Sequence, residues 1–175
     1  MSAYAGIGAR KSPPWVTHLM TRVATYLAKE GMVLRSGGAD GADTAFERGA
    51  DQGAGGKEIF LPWRGFNDHP SRLYQIPRKA YALVDQYHVG APRMKQSVRK
   101  LMARNCQQIL GQHLDDHARF VICWTPGGLG GGGTGFGLKL AHIFGIDHFD
   151  IGSYQEQELD AVRYDLYRFI EKHRP

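Results

Sequence analysis

Cysteine is scarce in this chain: among 175 residues there are two, Cys106 and Cys123. They make neither a disulfide framework nor the paired spacing of a zinc site. Both are expected to pack as small apolar side chains, and a cytoplasmic setting fits them best. Long apolar runs are missing too. No stretch reaches the ~18 residues of a membrane span. The opening residues, Met1 to Gly6, lack the basic-then-apolar layout of a secretory signal, so no membrane partner is expected. The eight histidines are scattered, and none falls in a His-Glu-x-x-His pattern. Neither a metal nor a cofactor is indicated. Acidic residues are in deficit, 17 against 22 lysines and arginines, which leaves a formal net charge of +5. That balance favours anionic partners without choosing among them.

Glycine, by contrast, is plentiful, with 23 residues, and much of it gathers in three turns that each follow an apolar run. Ala3–Ile7 leads into Gly8-Ala9-Arg10. Met32-Val33-Leu34 leads into Ser36-Gly37-Gly38-Ala39-Asp40-Gly41. Arg119–Trp124 leads into the long stretch Thr125–Gly135. Apolar residues at helical spacing then predict helices over 15–30, from the second turn to about Ala50, over 95–110 and over 136–144. Ser12 is expected to cap the first of these, and Gly31 and Gly145 to close two of them. The stretches 58–62 and 146–151 read as further strands. Residues 71–86 read as a helix broken at Pro77, and 155–173 as an amphipathic C-terminal helix.

Strands alternating with helices imply right-handed crossovers and a mostly parallel sheet. The expected fold is therefore α/β: one Rossmann-like domain over 1–175, its parallel sheet flanked by helices, with 155–175 as the C-terminal helix. In such sheets ligands sit beyond the carboxyl ends of the strands, at a switch point. Glycine turns running into helix N-termini expose backbone N–H groups to an anion, so a phosphate-bearing ligand is expected. Its contacts are assigned to Gly8, Arg10, Ser36, Gly37, Gly38, Asp40, Gly41, Pro126, Gly127, Gly128, Gly133 and Thr134.

Asp43 and Glu47, four apart on one helix face, are the candidate carboxylates for stabilising an oxocarbenium-like state. Glu47 is equally well explained by helix-dipole complementation. The polar loop Trp63–Pro70 is placed to line a site. Within it His69 is the candidate acid or base, while Trp63 and Phe66, with Trp124, are candidates to stack on a base. The basic residues from Arg93 to Arg104 form either a solvated helix face or a phosphate contact. Arg104 and Asn105 are placed to extend the site or to cap a neighbouring loop.

The loops resemble the SLOG superfamily of Rossmann-like nucleotide-binding proteins. Tyr4-Ala5-Gly6-Ile7-Gly8-Ala9-Arg10 and Ser36-Gly37-Gly38-Ala39-Asp40-Gly41-Ala42-Asp43 are most similar to its DprA/Smf members, which bind single-stranded DNA. Arg99-Lys100-Leu101-Met102-Ala103, with Thr125-Pro126-Gly127-Gly128 and Gly133-Thr134, resembles the LOG-type nucleoside monophosphate phosphoribohydrolases. The resemblance covers roughly residues 3–151 and is strongest to small stand-alone members, many carried by bacteriophages. It implies that Arg99 is a functional arginine, which joins the carboxylates Asp43 and Glu47 in the candidate catalytic set. The position of the LOG catalytic glutamate is held by Gly137, which argues against hydrolysis by that mechanism. The implied function is binding of a nucleotide or nucleotide-derived molecule, with N-glycosidic hydrolysis or sensing as its outcome. The alternative is DprA-like binding of single-stranded DNA. Apolar faces on the basic and C-terminal helices would also allow a homo-oligomer.

Overall fold

Strand β1 (Ala3–Gly8) is the axis of the molecule. In the computed structural model, which describes residues 2–174, it is paired in parallel on both sides. One neighbour is β2 (Val33–Ser36) and the other is β4 (Val121–Trp124). Strand β3 (Lys57–Ile59) lies outside β2, and β5 (His148–Asp150) lies outside β4. The order is β3-β2-β1-β4-β5, parallel throughout. Parallel neighbours need crossover connections. Helix α1 (Pro14–Lys29) joins β1 to β2, and α2 (Ala42–Gln52) joins β2 to β3. Helices α3 (Arg78–Tyr87) and α4 (Gln96–Leu110) lead from β3 back across β1 to β4, and α5 (Gly132–Ile143) leads to β5. Helix α6 (Leu159–His173) follows. This is the α/β Rossmann-like architecture expected, and the chain reverses direction between β1 and β4.

The strand sequences read as continuous apolar runs because both sheet faces are buried. Side chains alternate between them: Tyr4, Leu34 and Ile122 join a core with α1, α2 and α6, whereas Ala5, Ile7, Val121 and Cys123 join one with α3, α4 and α5. Gly6 falls on the first face, where a Cβ would lie 2.6 Å from the Phe46 ring. Both cysteines are buried and free. Burial pushes the Cys106 thiol up to about 12 and raises that of Cys123, so each packs as an inert apolar side chain.

Four local expectations shift. Helix α1 is capped by Pro13, without a side-chain cap, because the Ser12 hydroxyl donates back to the Ala9 carbonyl at 2.7 Å. Strand β3 is shorter than 58–62: Phe60 keeps only a bridge to Leu73 as the chain turns away. Residues 71–77 are not helical, since Pro77 in extended geometry serves as the N-cap of α3. Helix α5 begins at Gly132 rather than Phe136. Gly31 and Gly145 both adopt positive φ just past a helix end, as expected. No helix among the described residues is long and apolar enough to cross a membrane.

Candidate functional site

Beyond the carboxyl ends of β1 and β4 the chain leaves a crevice of about 600 Å³. This is the position the sheet order assigns to a ligand. Ile7 and Gly8 enter it from β1 and Arg10 from the turn that follows; Asp43 comes from α2; Pro126, Leu129 and the first turn of α5 form the opposite side. Helix α4 supplies Leu101, Arg104, Asn105 and Gln108, spaced i, i+3, i+4 and i+7 and so on one helical face. The N–H groups of the first turn of α5, at Gly132 to Thr134, have no partners within the helix and border the same space.

Arg104 is the anchor of the deep end. It is 5% exposed. Its Nη1 donates to the carbonyls of Gly37 at 2.5 Å and Phe60 at 3.0 Å, and its Nε donates to Asn105 Oδ1 at 3.0 Å. The guanidinium also lies over the Phe66 ring, 5.7 Å from its centroid. One side chain thus fixes the loops that follow β2 and β3. Burial lowers its pKa to about 10, opposed by Asp43 and assisted by Arg10, so it stays cationic at neutral pH. Asp43 Oδ2 accepts the Ala39 N–H at 3.2 Å. Burial raises the Asp43 pKa, and the Arg104 charge is the chief opposing influence.

Further hydrogen bonds hold the glycine-rich side. Asn105 Nδ2 donates to the Gly133 carbonyl at 3.1 Å, tying α4 to α5. Asp150, at the end of β5, accepts the Thr125 N–H at 2.9 Å and the Gly152 N–H at 2.9 Å, as well as the Thr125 hydroxyl. Thr125 Oγ1 in turn accepts the Gly130 N–H at 2.9 Å. Gly128, at φ 68, packs against Ser153 with no room for a side chain. A flexible composition is in this way given a fixed entry into the crevice.

Of the residues expected from sequence, Gly8, Arg10, Asp43, Pro126, Gly133 and Thr134 line the crevice. Ser36, Gly37, Gly38 and Gly41 lie behind it. The Ser36 hydroxyl donates to the Gly6 carbonyl at 2.7 Å, and the Gly38 carbonyl accepts from Asn67 at 3.1 Å. Gly41, at φ 81, caps α2 tightly against the Arg10 backbone. Gly127 and Gly128 shape the loop without bordering the space. Asp40 is exposed and accepts from Asn67 Nδ2 at 3.1 Å.

Arg99 and Glu47 are outside the crevice lining. Arg99 pairs with Asp85 at 2.5 Å and lies over Tyr81 at 5.2 Å. Glu47 accepts from Lys57 at 2.8 Å and from His69 Nε2 at 2.9 Å. His69 Nδ1 accepts the Ser71 N–H at 3.1 Å, so Nε2 carries the proton. That pair staples the Trp63–Pro70 loop to α2, outside the crevice lining. Trp63 is 38% exposed and packs edge-on against buried Phe66. Sequence reasoning missed Gln108, although its spacing of four from Arg104 was a usable signal. It also missed Asp150, whose partner lies 25 residues away.

The sheet order defines a Rossmann-like α/β protein, with a crevice between β1 and β4 at the switch point. No protein-family model matches the chain, and no curated protein matches it. Among solved structures it is similar to DNA processing protein A from Helicobacter pylori, a protein described for its single-stranded DNA binding mode. Identity is 16% and the TM-score 0.58, over 99% of this chain and 82% of that one. It is also similar to DNA processing protein A (DprA) from Streptococcus pneumoniae, at 19% identity and TM-score 0.54, over 95% of this chain and 56% of that one. The likeness is one of fold, and it falls on the DprA side of the sequence resemblance.

Proposed function

We propose that this protein binds single-stranded nucleic acid, with one nucleotide of the strand seated in the crevice between β1 and β4. The observation that carries this reading is the make-up of the crevice. Exposed Arg10 and the unpaired N–H groups at the start of α5 stand at its mouth, and buried polar groups and apolar walls lie within. Phosphate-favouring groups outside and base-sized space inside suit a strand whose backbone runs along the surface. The fold likeness to a single-stranded DNA-binding protein and the net charge of +5 support it. Two buried free cysteines favour a reducing, cytoplasmic compartment.

Fluorescence anisotropy with a labelled single-stranded oligonucleotide tests the proposal. Binding is expected to weaken steeply as salt rises, because phosphate neutralisation releases counterions. Absence of salt-sensitive binding would reject it.

A second reading, a free nucleotide as ligand, is favoured by Asp43, the one carboxylate among the described residues that line the crevice. A buried carboxylate there is placed to stabilise an oxocarbenium-like state. Chromatography of protein incubated with nucleoside monophosphates would reveal released base if the protein hydrolyses them. Nucleotide recovered intact, with a thermal shift, would mean binding alone.

A further inference from the structure

The positive charge of the chain is unevenly placed. Residues 72–100 hold seven lysines and arginines and one acidic residue, Asp85. Their surplus exceeds the net charge of +5, so the remainder of the chain is close to neutral. Asp85 pairs with Arg99, and Arg104, the next cation along, is buried at the deep end of the crevice. Arg93, Lys95 and Lys100 stay uncommitted. None of the three forms an ion pair among the described residues. Arg93 and Lys95 are exposed, and Lys100 is half-buried.

The fold brings these three to the crevice. The Ile109 carbonyl accepts the Ala118 N–H at 2.8 Å just ahead of β4, so α4 ends toward the amino edge of the sheet and enters from the carboxyl edge. Gln108 Nε2 would lie 2.6 Å from a Cβ at Gly37, the residue just past β2. Lys100 is eight residues earlier, about 12 Å further along the helix axis. The first turns of α4 therefore stand beyond the strand ends, where Met102 already approaches Gly133 in the first turn of α5. Lys100 also shares the helical stripe of Arg104, one turn nearer the mouth. Lys95 is the N-cap of α4, and Arg93 closes the single turn Ala91–Arg93 that leads into it. The three cations continue the crevice wall at Leu101 out onto the rim.

Stability does not explain this placement. A helix start favours acidic or hydroxyl side chains, yet α4 has Lys95 at its cap, no side-chain cap and no acidic residue in its first turn. A cation there opposes the helix dipole. Like charges gathered on one rim also repel one another, and a polyanion laid across them removes that cost. The loops after β2 and β3 are mixed instead, carrying exposed Asp40 and Asp68 with Arg64, so charge directs a strand toward α4. We infer, on the proposal that the crevice seats one nucleotide of a strand, that the phosphate backbone leaves the crevice across the first turns of α4, over Lys100, Lys95 and Arg93. Arg10 holds the strand at the crevice, and these three hold the nucleotides next to it.

The test follows anisotropy of the full chain with a labelled single-stranded oligonucleotide of roughly twelve nucleotides through a salt series. Two triple variants remove the same charge. One carries Arg93→Gln, Lys95→Gln and Lys100→Gln. The other carries Arg22→Gln, Lys29→Gln and Arg48→Gln, on α1 and α2 across the sheet. The rim variant is expected to lower the magnitude of the salt slope by about two, from three lost phosphate contacts at about 0.7 each. The variant on α1 and α2 should keep the original slope. The rim variant should also melt no lower than the original, since it loses a cation that opposed a helix dipole. A rim variant with the original slope overturns the inference, as do equal losses in both variants, which would show a general field in place of a path. Loss at the rim of binding to phosphatidylserine vesicles, with the oligonucleotide slope kept, would overturn it too and assign the patch to a membrane surface. If the unaltered protein binds no strand, the strand-binding proposal itself fails, and the path with it.

Discussion

Asp150 takes both the backbone N–H and the side-chain hydroxyl of Thr125. This contact closes β5 onto the end of β4 just where the glycine-rich loop begins. The Asp150→Ala variant leaves the N–H groups of Thr125 and Gly152 without their acceptor and frees the Thr125 hydroxyl. A loss of about 1–3 kcal/mol is expected, read as a lower urea midpoint. Weaker oligonucleotide binding should accompany it, because the loop would no longer be held beside the crevice. A midpoint within about 0.5 kcal/mol of the original would show that the loop is held by other contacts.

Gly37 and Gly131 form a contrasting pair. A methyl group at Gly37 meets Arg104, Gln108 and Asp43 within 2.5–2.7 Å, whereas nothing lies within 4 Å of one at Gly131. Gly37→Ala is expected to cost about 1–3 kcal/mol through overpacking and to lower ligand affinity by displacing the polar cluster. Gly131→Ala should fold with stability within about 0.5 kcal/mol of the original. Thermal denaturation of both variants checks the contrast, and equal stabilities would contradict the crowding at Gly37.

Asp43 gives the stability of the protein a pH signature. Burial raises its folded pKa above the ordinary 3.8, so the folded state holds the proton more tightly than the unfolded chain does. Its contribution to stability is therefore fully present below the unfolded value and falls as pH rises toward the raised folded one. Asp43→Asn removes that titration. Stability of the variant relative to the original should consequently improve as pH rises from about 4 through the carboxylate range. Urea midpoints across that range provide the measurement, and a relative stability that is flat or falls with pH would contradict a raised pKa.

Arg10 and Arg99 separate a contact at the crevice mouth from a surface pair. Arg10 lines the mouth, and Arg10→Ala should weaken oligonucleotide binding and reduce the salt slope by about one charge, with stability nearly unchanged. Arg99 is held by Asp85 and Tyr81 on the outer face of α4. Arg99→Ala should cost under about 1 kcal/mol and leave affinity alone. If the two variants exchanged effects in the anisotropy assay, the crevice would not be the nucleic-acid seat.

Arg104→Ala is the severe case. It strands the Asp43 carboxylate in a buried site and leaves the carbonyls of Gly37 and Phe60 without their shared donor. Each buried acceptor stranded in this way costs about 1–3 kcal/mol, and Asp43 also loses the charge that opposes its burial. Arg104→Lys restores the charge but not the planar fork that spans two loops, so it should recover only part of the loss in a chemical denaturation series.

The sequence by itself determined the framework. Apolar runs such as Ala3–Ile7 and Arg119–Trp124 declare strands buried on both faces. Glycine turns after them mark the strand ends, and the alternation with helical periodicity dictates parallel crossovers. These signals are local, since each depends on the covalent freedom of a few neighbouring residues. Only the tertiary structure decided which side chains meet at the site. Arg99 and Arg104 are five residues apart, a rotation of about 140° around a helix, and the packing of α4 against the sheet turned Arg104 inward and left Arg99 on Asp85. Glu47 looked equivalent to Asp43 along the chain, but the loop that follows β3 brought His69 onto it. Asp150 and Thr125 meet because β5 lies beside β4. Such pairings depend on the rotation of a helix or the register of a strand, which are fixed by contacts between segments far apart in the chain.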